Sequence, residues 1–392
     1  MPHALAQAVE VGTTVLAVAG MGYFIAALLA AFVFLGRRRP AAAAFAPGVS
    51  ILKSLKGLDP AMLDAFRSHC RQTYTGEHEL LFGISTDDDP AADAVRQLQN
   101  EFPGHAIRLI VCPRRLGTNG KVSTLAQLVP HARYDYLLIN DSDITVSPRY
   151  LERVMAQFAP TPEQPGQRTV GLVTALYRGR PHGSLWSRFE ALGIATDFQP
   201  SVLLARWIEG GLRYGLGSTL AVSREALTAI GGFASLADDL ADDYQLGARI
   251  YAAGYAVALS REVVETSVPD YSWRGFFDHQ VRWYRTVRDA RPGGYAGLIF
   301  TQGLAWAVLN MVASGLSPVS LWLLAMSFFL RLAMAMGVAT NVLADHDVLP
   351  NLWLLPLRDL VAMGIWIAGF AGNTIVWRGE RFHVKHGKLT RA

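Results

Sequence analysis

At 392 residues, with 51% hydrophobic and only 17% charged side chains, the chain exceeds what one core needs and is too apolar for an ordinary soluble protein. The formal charge of +4 is modest, and the basic residues gather beside apolar segments instead of forming a stripe interleaved with aromatics. That pattern excludes a nucleic-acid surface and favours attraction to anionic lipid.

The first predicted element is a membrane span, because Val11 to Leu35 carries no charge and is followed at once by Arg37, Arg38 and Arg39. A cleaved leader would have its charges before the apolar run, so a signal anchor is expected, with its N-terminus outside and its basic flank in the cytoplasm. Pro40 to Pro47 reads as an Ala/Pro linker, and a globular domain begins near Gly48. Strand-like runs at Val49 to Leu52, Glu79 to Ile84, Ile107 to Val111 and Tyr136 to Ile139 alternate with helix-like stretches from Asp59, Pro90 and Lys121 onward. This alternation predicts an α/β domain with a parallel sheet covered by helices, whose ligands bind outside the carboxyl ends of the strands. Cys70 and Cys112 lie within it, far apart and outside any CxxC or Cys/His cluster, so both read as buried thiols and no disulfide or zinc site is expected.

A further strand at Val170 to Tyr177 leads through two helix-like regions to Ser267, and Trp273 to Arg291 is amphipathic and expected against the membrane surface. Tyr295 to Leu316 is uncharged, Ser317 to Leu343 carries only Arg331, and Leu360 to Trp377 is uncharged after Arg358 and Asp359. Three full crossings would leave the basic tail Arg378 to Arg391 outside, against the positive-inside rule. Tyr295 to Leu316, rich in Gly and polar residues, is therefore expected to be re-entrant or interfacial. The resulting division is an anchor over 1–39, a cytoplasmic domain over 48–292, membrane segments over 293–377 and a basic cytoplasmic tail over 378–392.

Acidic clusters fall at strand ends. Asp87, Asp88 and Asp89 follow Leu80 to Ile84, where a carboxylate suits a nucleotide base or ribose, although a solvated loop before Pro90 is equally consistent. Asp141 and Asp143 follow Tyr136 to Ile139, and two carboxylates at this spacing can hold a divalent ion that bridges the phosphates of a sugar donor. The triplet Asp345, His346, Asp347 has the same spacing but lies between apolar segments and reads as an exposed loop. Asp238, Asp239, Asp242 and Asp243 crowd the start of a helix, where acids cap favourably and where mutual repulsion can raise one toward a general base. Gly117 to Lys121 lies between strand and helix, so its amides and the Lys121 ammonium can meet a phosphate; a plain turn with a surface Lys is the blander reading. His279, Arg282 and Trp283, with Arg285 and Arg288, suit either a diphosphate or a basic interfacial helix.

Taken in order, these clusters resemble the lipid-glycosylating branch of the GT-A glycosyltransferases, and most of all the ceramide glucosyltransferase family (family 21) with its bacterial hopanoid-pathway members. The stretches that carry the resemblance are VSILKSLKGLDP at 49–60, DDPA at 88–91, GTNGKVSTL at 117–125, YDYLLINDSDI at 134–144, GLVTALYRG at 171–179, IGGF at 230–233, ADDYQLG at 241–247 and RW at 282–283. The resemblance implies a GT-A domain with transmembrane helices at both ends. It implies transfer of a sugar from a UDP-sugar, UDP-glucose or UDP-N-acetylglucosamine, to a lipid hydroxyl of a hopanoid polyol or ceramide, with inversion and with Mg2+ or Mn2+ as cofactor. By the same resemblance Asp88 and Asp89 contact the nucleotide, Asp141 and Asp143 handle metal and diphosphate, Lys121 sits on the donor side, Asp243 is the catalytic base, and Arg282 with Trp283 closes over the diphosphate. His279 stands where the family has Gln or Arg, which weakens any carry-over to it. A membrane-embedded enzyme of the bacterial inner membrane, with its catalytic domain in the cytoplasm, is the implied setting. A processive polysaccharide synthase and a non-catalytic lipid-binding protein on the same scaffold are the competing readings.

Overall fold

The computed structural model describes residues 2–36, 45–59, 61–160, 168–377, 380–385 and 387–391, so Arg37 to Arg39, most of the Pro40 to Pro47 linker and Arg378 lie outside the described residues. The chain divides into two compact units: Met1–Arg37, Pro181–Ile208 and Asp270–Glu380 form one, and Arg38–Arg180, Glu209–Pro269 and Arg381–Ala392 form the other. Residues 181–208 and 270–292, within the stretch expected to be cytoplasmic, group with the apolar helices.

The second unit is built on strands β1 (Val49–Ser54), β2 (His78–Ile84), β3 (Ala106–Val111), β4 (Tyr136–Ile139), β5 (Ile144–Thr145), β6 (Val170–Pro181), β7 (Leu220–Ser223) and β8 (Ala256–Val268). Their order across the sheet is β3-β2-β1-β4-β7-β6-β8-β5. β1 runs parallel to both β2 and β4, and β2 runs parallel to β3. Beyond β4 the sense changes, because β7 is antiparallel to both β4 and β6, and β5 is antiparallel to β8. The sheet is thus mixed, with a parallel half. Helices Met62–Cys70, Ala91–Glu101 and Gly120–Leu128 follow β1, β2 and β3.

The parallel half explains its own sequence. A strand covered by helices on both faces has no polar face to show, so it reads as a nearly continuous apolar run. Ile51, Leu52, Leu80, Leu81, Phe82, Leu137 and Leu138 are all buried, and Phe66 of the first helix packs on Phe82 with ring centroids 4.6 Å apart. Because β1, β2 and β4 are parallel, the segments Leu55–Asp59, Ser85–Pro90 and Asn140–Asp143 leave the sheet at one edge. That edge carries the acidic residues.

Among the described residues of the first unit, three helices are long and apolar enough to cross a membrane: Ala4–Gly36, Pro318–Val342 and Leu349–Phe370. Pro292–Thr301 and Gly303–Ala313 form a pair bent by 55°, a broken span or re-entrant loop, where the sequence had raised a re-entrant Tyr295 to Leu316. The last apolar segment differs from its expected bounds: its helix ends at Phe370, and Thr374–Trp377 is a strand, β9. The leading helix is bound closely to its neighbours. A Cβ on Gly20 would lie 2.1 Å from the Gly303 Cα, so the two backbones touch there. Asn310 Nδ2 donates to the Glu10 carbonyl at 3.0 Å and to Thr14 Oγ1 at 2.8 Å. Arg331 is buried and donates to Asp359 Oδ2 at 2.8 Å, the Thr196 carbonyl at 2.7 Å and Asp197 Oδ1 at 2.6 Å.

The stretch expected as a basic tail contains strands β10 (Glu380–Lys385) and β11 (Lys388–Arg391), an antiparallel pair in the register Val384↔Leu389. Phe382, Val384 and Leu389 are buried while His383 and Thr390 are exposed, the period-two alternation of a strand with one covered face.

Candidate active site

The site assembles from four loops of the second unit. After β4, Asn140 is buried and held by His69, by the Tyr150 hydroxyl, which accepts from its Nδ2 at 3.0 Å, and by the Ser218 carbonyl at 2.6 Å. This anchor fixes the following residues. Asp141 keeps a 45% exposed side chain, and its Oδ1 accepts from Lys121 Nζ at 2.6 Å. Ser142 is turned inward and donates to Asp59 Oδ2. Asp143 is partly buried, with Oδ2 accepting from Thr266 Oγ1 at 2.5 Å and the Ser267 amide at 3.1 Å. Burial, reinforced by the Asp141 charge, pushes its carboxyl up to about 6.

Asn119 caps the helix Gly120–Leu128, its side chain accepting from the Val122 amide at 3.1 Å, and so places Lys121 in the first turn. Lys121 Nζ sits between two acidic segments, 2.6 Å from Asp141 and 3.8 Å from Asp242 Oδ2. Burial alone would lower its pKa, but Asp141, Asp242 and Asp243 together raise it above the ordinary lysine value. The ammonium is therefore a fixed positive charge linking the strand-end carboxylates to those of the helix Asp242–Ala252.

Asp242 also accepts from Asn119 Nδ2 at 3.3 Å. Asp243 Oδ1 accepts from the Tyr244 amide at 2.7 Å, and burial, with the adjacent Asp242 charge, pushes its carboxyl up to about 6. Room for it is cleared by Gly217, where a Cβ would come within 3.0 Å of Asp243 Oδ2.

Asp89 takes a structural position. Its Oδ1 accepts from the Gly57 and Ala91 amides, each at 3.0 Å, pinning the loop after β1 to the start of the helix Ala91–Glu101. Gly57 has φ +71, a conformation that glycine adopts without steric cost. Asp88 beside it is exposed. Through Gly57 and Asp59, one loop joins the first acidic cluster to the second.

Lys53, which sequence reasoning passed over, lies beneath the second cluster. It is buried in β1, donates to the Asp141 carbonyl at 3.0 Å, and is pushed down to about 7 because burial outweighs Asp143 and Asp141. The available signal was a lone charge inside an apolar strand. Asp141, Asp143, Lys121, Asp242 and Asp243 are thus brought together, with Asp89 attached through the β1 loop.

His279, Arg282 and Trp283 belong to the other unit, on the helix Trp273–Ala290. There His279 Nδ1 donates to the buried Glu190 Oε2 at 2.8 Å, which also accepts from Gln280 Nε2 at 3.1 Å. The His279 ring stacks on Tyr271 and meets Trp283 at a centroid distance of 5.0 Å.

Comparison with known proteins places these observations in a family. Glycosyl transferase family 21 matches residues 12–390. Ceramide glucosyltransferase 3 of Caenorhabditis elegans is 24% identical over 359 residues, 87% of this chain and 73% of its own length. Ceramide glucosyltransferase 1 of the same animal is 23% identical over 359 residues, 88% of this chain and 73% of its own. Among solved structures, the mannosyltransferase PcManGT of Pyrobaculum calidifontis, crystallised with GDP-Man and Mn2+, superimposes with a TM-score of 0.55 at 20% identity, covering 92% of this chain and 97% of that one. That likeness bears on the fold, and it agrees with a GT-A sheet. With a family match spanning nearly the whole sequence and carboxylates gathered at the strand ends, the chain belongs to glycosyl transferase family 21 and is a glycosyltransferase.

Proposed function

We propose that this glycosyltransferase moves a hexose from a UDP-sugar to the hydroxyl of a membrane lipid, inverting the anomeric centre, at the cytoplasmic face of a bacterial inner membrane. UDP-glucose or UDP-N-acetylglucosamine is the donor and a hopanoid polyol or ceramide the acceptor. Relatives named for glucosylating ceramide and the apolar helices support a lipid acceptor. The observation that carries the chemistry is Lys121 set between Asp141 and Asp242, beside a carboxylate, Asp243, pushed up to about 6.

The residues present fit a divalent cation. Among the described residues no three acidic, His or Cys side chains form a closed cage, but Mg2+ and its kin are commonly held by one or two carboxylates plus substrate phosphates. Asp141, with its exposed hard oxygens, and Asp143 would hold the ion, which when bound supplies charge neutralisation to the departing diphosphate. Lys121 adds a permanent positive charge on the donor side. Asp88, which is exposed, and Asp89, whose carboxylate also holds the β1 loop, would contact the nucleotide. By the resemblance Arg282 and Trp283 are assigned to the donor diphosphate, while His279 departs from the family pattern and is not.

Transfer is a single displacement. Asp243 accepts the proton of the lipid hydroxyl, the freed oxygen bonds to the anomeric carbon, and the bond from that carbon to the diphosphate breaks as UDP leaves. A base with a pKa about 6 is ionised at neutral pH yet still basic enough to help. Asp243→Asn should lower turnover by about two to four orders of magnitude, the range for a positioned general base, while donor affinity stays within a few-fold. Turnover equal to wild type removes Asp243 from this role. Incubating membranes with each labelled UDP-sugar and a lipid extract, then identifying the glycolipid by mass spectrometry, decides donor and acceptor; a polymeric product would instead establish a processive synthase.

A further inference from the structure

Thr118, the loop that opens the Asp242 helix, and the C-terminal hairpin are far apart in sequence but meet in one knot of hydrogen bonds. The Leu240 amide donates to the Gly387 carbonyl at 3.0 Å, and the Leu389 amide donates to the Asp238 carbonyl at 2.8 Å. Asp239 and Lys388, the first residue of β11, thereby form an antiparallel bridge. The side chains repeat the connection. Asp239 is buried and receives two cations, Lys388 Nζ at 3.1 Å from Oδ1 and Arg249 Nη2 at 2.6 Å from Oδ2. Arg249 belongs to the helix Asp242–Ala252, so one carboxylate ties that helix to the hairpin. Thr118 Oγ1 donates to the Leu389 carbonyl at 2.9 Å, and its backbone amide donates to Asp238 Oδ1 at 2.9 Å. Asn119 Nδ2, two residues before Lys121, then donates to the Asp239 carbonyl at 2.9 Å.

We propose that the C-terminal hairpin β10–β11 is a positioning element of the donor site: by adding a strand edge to residues 238–240 and an ion pair to Asp239, it holds Asp242, Asp243 and Lys121 in their working arrangement. The physical argument is one of backbone economy. The segment Phe233–Ala241 is a short 3-10 turn and a loop, held at the Ser235 carbonyl by Arg249 and at the Ala237 carbonyl by the Asn119 amide, and at Asp238 and Leu240 by the hairpin. Gly387, with φ +74, forms the tight turn that offers its carbonyl to Leu240. Asp242 and Asp243 open the helix that follows this loop, so a loop released from the hairpin would let them shift relative to Lys121, and an error of about 1 Å in a catalytic group can cost on the order of a hundredfold in rate. Lys388 acts through Asp239 and is a positioning residue; it is not placed on the donor.

This inference rests on the reading that Asp242, Asp243 and Lys121 serve the donor, and the test separates the two. The full-length enzyme, Lys388→Ala, Lys388→Arg and a chain ending at residue 379 are compared in nanodiscs, with kcat, donor KM and hydrogen exchange at residues 236–243 measured on each. Expected are a kcat reduced about tenfold in Lys388→Ala with donor KM within threefold, restoration by Lys388→Arg, and faster exchange at residues 236–243 in Lys388→Ala. The truncated chain should be nearly inactive and partly rescued, saturably, by a synthetic peptide of residues 378–392 but not by its scrambled version. Wild-type kcat in both Lys388→Ala and the truncated chain overturns the proposal. Slowed transfer with unchanged exchange at residues 236–243 also overturns it, since the hairpin would then act elsewhere. Should the truncated chain fail to accumulate, Lys388→Ala, which keeps both backbone bridges, decides alone. A fully active Asp243→Asn with the hairpin intact sinks the base assignment while leaving the exchange result to judge the clamp.

Discussion

Asp243 is held in an environment that opposes its charge. Its folded-state pKa, about 6, lies above the ordinary 3.8, so the folded protein binds more protons than the unfolded chain between those values. Stability from this group is therefore lost as pH rises from about 4 to about 6, and the cost is fully present at neutral pH. Asp243→Asn should be more stable than wild type at pH 7.5, by on the order of 1–3 kcal/mol from the size of the shift, with the gap closing toward pH 4; thermal unfolding in detergent with a chelator measures it. Equal midpoints at every pH would contradict the strain. The same shift predicts that kcat/KM falls below about pH 6 with a slope of one proton, readable from a pH–rate profile. The acidic members of the site were legible because each follows an apolar run or opens a helix. Lys53 was not, since one Lys near the end of VSILKS reads as the exposed edge of a strand, and only the parallel neighbours on both sides of β1 show that it is buried.

Among the elements, the parallel strands β1 to β4 could be read because burial on two faces leaves a continuous apolar signature. β7 and β8 lie in the antiparallel half, where LAVS is too short to tell from helix by pattern and the alternation in AVALSREVVETSV is interrupted. The hairpin β10–β11 was hidden by its charge. Its Lys and Arg residues suggested a solvated tail, although Phe382, Val384 and Leu389 keep strand spacing and are buried. Gly217 illustrates a site constraint carried by an element with no functional group. Gly217→Ala would put a methyl group 3.0 Å from Asp243 Oδ2, closer than most real contacts, so turnover should fall about tenfold or more while circular dichroism and the unfolding midpoint change little. Unaltered kcat in that variant would mean the carboxylate has room to spare.

At the scale of the whole molecule, the sequence marked Arg331 as a lone charge in an apolar segment and Arg358 with Asp359 as a pair, but not their meeting. The structure joins Arg331 to Asp359 and to Asp197, and Arg358 to both acids, which helps explain why Pro181–Ile208 groups with the apolar helices. A buried pair broken on one side leaves an uncompensated charge, so Arg331→Met should destabilise by about 3–5 kcal/mol. Arg331→Met combined with Asp359→Leu should recover part of that loss, because the remaining Arg358 can still serve Asp197. Unfolding of the three forms in detergent checks both statements.

The contact of Gly20 with Gly303, and the three bonds that Asn310 makes to the carbonyl of Glu10 and the hydroxyls of Thr13 and Thr14, give the leading helix an identity that a mere leash would not need. Grafting a polyleucine span in place of residues 4–36 should therefore yield a protein that inserts normally but purifies as a heterogeneous, heat-labile species. The leading helix is thus masonry, and heterologous expression schemes that swap the N-terminus for a generic one would be removing a wall.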